Sequence, residues 1–71
     1  MNILIVSHPG SGDREIFLIR DADEETLQLI EESKQSSYGG RLADNCANGR
    51  YEQVFNDTDL DNVRIVNIFP A

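Results

Sequence analysis

The chain opens on a run of apolar positions. Asn2-Ile3-Leu4-Ile5-Val6 is β-branched or aliphatic from its second residue on, and Ser7-His8-Pro9-Gly10-Ser11-Gly12-Asp13 closes it. That closing stretch is turn chemistry, because Pro fixes φ and Gly tolerates positive φ. A second run, Glu15-Ile16-Phe17-Leu18-Ile19-Arg20, follows at once. Two short strands joined by a Gly/Pro turn predict an antiparallel hairpin.

The pattern then changes period. Asp21-Ala22-Asp23-Glu24-Glu25-Thr26 announces a helix, with Asp23 as N-cap and two carboxylates in the first turn, where the helix dipole favours them. Leu27, Leu29 and Ile30 form a narrow apolar stripe, while Gln28, Glu31, Glu32 and Gln35 take the solvent side. The spacing predicts a helix over 23–36, ended by Gly39-Gly40. Residues 41–62 are ambiguous. Asn48-Gly49 reads either as the stop of a short helix at 41–47 or as a hairpin turn. Ala43-Asp44-Asn45-Cys46 is poor strand material, so the helix is favoured, followed by a strand at 50–55 and a polar loop from Asn56 to Asn62. Val63-Arg64-Ile65-Val66-Asn67-Ile68-Phe69 is a last strand, stopped by Pro70.

The order β-β-α-(α/β)-β predicts one α+β domain over 1–71, with a small antiparallel-type sheet and one main helix packed on one face. The first strand, apolar throughout, belongs at the centre, between strand two and the last strand. Side chains alternate faces along a strand. Ile3 and Ile5 therefore oppose Leu4 and Val6, Ile16 and Leu18 oppose Phe17 and Ile19, and Val63, Ile65 and Phe69 oppose Val66 and Ile68. Both faces are apolar, yet one strong helix can cover only one of them. Phe17, Ile19, Val66 and Ile68 are the residues expected on the uncovered face, available to a second copy or a larger partner. The competing expectation is that the 41–55 segment, with Leu42, Cys46, Ala47, Tyr51 and Phe55, folds over that face.

Composition narrows the function. Seventy-one residues allow one domain with a small core, and the single Cys excludes disulfides and a thiolate zinc site. Six Lys+Arg against thirteen Asp+Glu give a formal charge of −7. The basic residues are scattered singly, so neither direct nucleic-acid binding nor attachment to a membrane is expected. No window approaches a membrane span and no basic n-region opens the chain, so the expected location is cytoplasmic.

Candidate chemistry is sparse. His8-Pro9-Gly10-Ser11-Gly12 lacks the Lys-Ser/Thr and the helix of a phosphate loop. His8, Ser11 and Asp13 lie too close in sequence for a triad, and Cys46 lacks a basic neighbour to activate it. Asp57, Asp59 and Asp61 alternate as at the start of a calcium loop, but Ile68 stands where the bidentate Glu belongs. A chain this small is also not expected to form a cavity of ~300 Å³ or more. No enzyme, cofactor or metal centre is therefore expected. The expected function is a small acidic protein-interaction module, a homodimer or a domain docked on a larger protein. A sharper version is an inhibitor that fills a basic, nucleic-acid-binding groove of its partner as a nucleic-acid mimic, with Asp23, Glu24, Glu25, Glu31 and Glu32 imitating phosphates and Asp57, Asp59 and Asp61 adding to the acidic face. The alternative is a ligand- or divalent-metal-binding module built on the 57–61 loop.

Overall fold

A computed structural model describes residues 1–10, 12–36, 38–55 and 62–69. The elements run β1 (Asn2–Ser7), β2 (Glu15–Ile19), α1 (Glu24–Gln35), α2 (Gly40–Ala47), β3 (Glu52–Val54) and β4 (Val63–Ile68). They form an α+β fold around one four-stranded sheet of order β3-β2-β1-β4. The β1–β2 hairpin pairs apolar residues from Ile3–Ile19 to Val6–Ile16, and the polar pair Ser7–Glu15 ends the ladder. As expected, β1 lies between β2 and the last strand. The sheet is mixed, however. β2 and β3 pair antiparallel, whereas β4 joins β1 in parallel with Ile5 beside Val66.

Local chemistry explains the helices. The Asp23 carboxylate accepts from the Thr26 N–H at 2.9 Å and from its hydroxyl at 2.8 Å, satisfying one of the unpaired donors of the first turn. Helix α1 stops at Gln35, with Ser36 as its C-cap. The glycine pair therefore serves the second helix. Gly39, at φ +91°, is the N-cap of α2, and a Cβ there would come within 2.9 Å of Ala43 Cβ. Only glycine accepts both the left-handed backbone and this close approach. Asn48 caps the far end of α2, its N–H donating to Asp44 O, and Gly49 follows at φ +71°. Asn48-Gly49 is thus a helix stop, as favoured, rather than a hairpin turn.

Both helices lie on the same face of the sheet. Ile3, Ile5, Phe17, Ile19, Val66 and Ile68 pack there against Leu29 and Ile30 of α1 and Leu42 and Cys46 of α2. This corrects the expected face assignment. Phe17, Ile19, Val66 and Ile68 are between 3% and 7% exposed, in the main core. They are not an open surface. The competing expectation holds by residue, since Leu42, Cys46 and Tyr51 of the 41–55 segment pack on the face of Phe17, Ile19, Val66 and Ile68, but α1 shares that face and leaves the opposite one without a helix. Sequence alternation separates the two faces but does not say which one the helices choose.

The second face carries a smaller cluster of Leu4, Ile16 and Leu18, with Val54 and Val63 half-buried around it. Leu4 and Val6 are 8% exposed and Leu18 only 3%. The centre of this face is therefore buried within one chain, and it is not the wide apolar patch that counting helices predicts.

Candidate interaction surface

Among the described residues the exposed large apolar side chains are Met1, Tyr38, Phe55, Ile65 and Phe69, and two of them sit on or next to β4. Ile65 is 62% exposed and Phe69 is 65% exposed, while Phe55 stands out of the other side of the sheet, just past β3. In β4 the parity decides the outcome. Val66 and Ile68 point under the helices, and Val63, Ile65 and Asn67 point to the opposite face. Ile65 pairs with Leu4 in the β1–β4 register, but nothing among the described residues flanks it on its outer side.

The end of β4 is held by polar contacts. His8 Nε2–H donates to Asn67 Oδ1 at 3.0 Å, and the His8 ring stacks on Phe69 with centroids 4.8 Å apart. The His8 N–H donates to Ile68 O at 2.9 Å. His8 is therefore tied to the strand margin, on which it fixes the exposed Phe69 ring. Ser11, the other partner imagined for it, lies outside the described residues.

The acidic residues are more engaged than their sequence suggests. Glu31 pairs with Lys34 at 3.2 Å, and Arg41 of α2 grips Glu32 with both its Nε and a terminal nitrogen. Asp23 is taken up by Thr26. The Thr26 N–H and hydroxyl hold the Asp23 carboxyl below the usual aspartate range, and the Arg41 hydrogen bond does the same to Glu32. Three of the five helix carboxylates expected to imitate phosphates thus already have a partner. Glu24 and Glu25 remain in the first turn, serving the helix dipole. Asp57, Asp59 and Asp61 lie outside the described residues, and with them both the acidic loop and the metal reading built on it. Among the described residues no three His, Cys, Asp or Glu side chains gather where they could hold a metal ion.

Two open depressions exceed the size expected of so small a chain. One, of about 420 Å³, lies along α1 over Leu27, Gln28, Glu31, Glu32 and Gln35. The other, of about 410 Å³, lies between the end of α1 and the end of β4, against Lys34, Asn67 and Phe69. In the second, the Ser33 hydroxyl donates to Ile30 O and Lys34 is paired with Glu31. Cys46 is sealed in the core, where burial, helped by the charge of Glu15, pushes its thiol up to about 11. No helix among the described residues is long and apolar enough to cross a membrane.

No family model matches the chain, and neither does any curated protein or any solved structure. The β4 margin was missed by sequence reasoning. Its signal was present in the grouping of Val63, Ile65 and Phe69 on one parity, but which parity stays exposed depends on where the helices pack.

Proposed function

We propose that this chain is a non-catalytic protein-interaction module whose contact surface is the β4 margin of its sheet. One observation carries the reading: an outermost strand rich in Val and Ile bears a single charge, Arg64, and leaves Ile65 and the adjoining Phe69 nearly two-thirds exposed. Strand edges of this kind present unpaired backbone groups beside apolar side chains, which is what strand addition by a protein partner uses. The acidic helix ranks below it, because Asp23, Glu31 and Glu32 are occupied by Thr26, Lys34 and Arg41. Its remaining role is to keep a small domain soluble.

The test compares the tagged wild-type chain with two variants in extract of the native cell. Ile65→Asp places a charge on the β4 margin. The second variant replaces Glu24, Glu25, Glu31 and Glu32 by Gln. Protein retained by the wild type is expected to be lost with Ile65→Asp, and kept by the four-Gln variant at low and high salt. Loss with the four-Gln variant and with salt, but not with Ile65→Asp, would replace this reading by the basic-groove inhibitor.

A further inference from the structure

The two edges of the sheet are unlike. At one edge β3 is three residues long, begins with Glu52, and has that Glu paired with Arg20 at 3.5 Å. A short, charged edge strand discourages pairing. At the other edge β4 is twice as long and has neither Pro nor a carboxylate in its six residues. Among the described residues one edge is open and the other blunted, which suits a closed pair rather than an open chain of copies.

The hydrogen bonds fix which groups β4 offers. Ile68 O accepts from the His8 N–H, so Ile68 turns its backbone toward β1. Backbone direction alternates along a strand together with the side chains. Arg64 and Val66 therefore also face β1, and Val63, Ile65 and Asn67 turn both N–H and C=O outward. We propose that β4 pairs antiparallel with β4 of a second copy about a two-fold axis through Ile65, joining two sheets into one of eight strands.

The occupant is a second copy because the edge complements itself. With the two-fold at Ile65, Val63 stands opposite the mate's Asn67, and each of these outward residues meets another outward residue. Six ladder hydrogen bonds result, and the exposed Ile65 is covered by its own counterpart. The two Arg64 side chains oppose Val66 rather than each other. Both helical layers stay on the same side of the joined sheet. This inference rests on the β4 margin being the contact surface. A single five-residue ladder buries less than the ~1,200 Å² of a standard interface, so association is weak, with a dissociation constant of roughly 10⁻⁵–10⁻⁴ M. Two chains of charge −7 repel at long range, and salt screens that repulsion. Added salt therefore strengthens this pairing, whereas it weakens docking on a basic protein.

The test is sedimentation equilibrium of the whole chain over a wide concentration range at low and high salt, with two variants. Ile65→Pro removes the outward N–H, which makes no bond to β1, so both Ile65 ladder bonds are lost while the fold remains. Dimerisation is expected to weaken about tenfold or more. Ile65→Thr keeps the N–H and a β-branched side chain and should stay within a few-fold of wild type. A dilution series of amide spectra guards against a misfolded proline variant. Val63, Ile65 and Asn67 amides should move with concentration, and Arg64 and Val66 amides should not. Equal dimerisation of all three chains, or a wild type that remains monomeric at millimolar concentration in high salt, overturns the pairing. A monomer that still loses a captured protein through Ile65→Asp would leave the interaction reading standing and remove the second copy as partner.

Discussion

Phe17→Ala separates the two possible assignments of the sheet faces. In the structure Phe17 is 4% exposed and packs in the same cluster as Ile30 and Leu42, both fully buried. Removing a buried Phe side chain loses its transfer energy and leaves a cavity, together about 3–5 kcal/mol. A 71-residue domain holds only roughly 4–11 kcal/mol in total, so the variant forfeits a large share of its stability. Ile65→Ala is the internal control. With 62% of the residue already in water, its loss is about 1 kcal/mol or less. Urea unfolding followed by far-UV circular dichroism, at low protein concentration, reads both. With a slope near 1 kcal/mol per molar urea for so small a chain, the Phe17→Ala midpoint should drop by about 3–5 M. The Ile65→Ala midpoint should barely move. A Phe17→Ala cost below ~1 kcal/mol, or an Ile65→Ala cost equal to it, would show that the helices cover the other face.

Three further outcomes are expected. Gly39→Ala forces a left-handed backbone on a residue with a Cβ and drives that Cβ against Ala43, so thermal melting should show a loss of about 1–2 kcal/mol or more, whereas Gly10→Ala, with nothing near it, should be close to neutral. The Cys46 thiol loses its proton less readily folded than unfolded; its contribution is whole below pH 9.0 and lost as pH rises toward about 11, so wild type should lose stability over that window relative to Cys46→Ala, and its native thiol should resist alkylation. Asp23 has its folded carboxyl held below the ordinary 3.8, so its contribution is whole above that value and lost as pH falls through the lower folded one. Asp23→Asn keeps a cap acceptor and should flatten that part of the acid-unfolding curve; an unchanged acid limb would remove the cap as its source.

What was legible in the chain follows from the range of the forces involved. The capping pair Asp23 and Thr26, the stop at Asn48-Gly49 and the alternation within each strand are local, so their chemistry can be read from neighbours in sequence. Gly39-Gly40 was also visible as a break, but its use by α2 depends on the approach of Ala43, four residues on. The choice of face is not local. Phe17 and Ile16 are equally apolar, and only the docking of Leu29, Ile30 and Leu42 from both helices makes the Phe17 side the main core. The direction of β4 is equally remote from sequence, because pairing with β1 sixty residues away decides both its parallel sense and its free edge. The acidic surface misled for a related reason. Glu32 looks free in α1 until α2 brings Arg41 across to it.

The central claim, that the open β4 edge pairs with itself in register at Ile65, is tested most directly by isotope-filtered nuclear Overhauser spectroscopy on mixed labelled and unlabelled chains. In that register Arg64 and the mate's Val66 form a non-hydrogen-bonded pair, with Cα atoms about 4.5 Å apart and facing Hα protons. An intermolecular cross-peak between Arg64 Hα and Val66 Hα is expected at concentrations where the dimer is populated. Cross-peaks that instead join Leu4 or Leu18 methyls of two chains would mean association through the sheet face, and would contradict the strand-edge pairing.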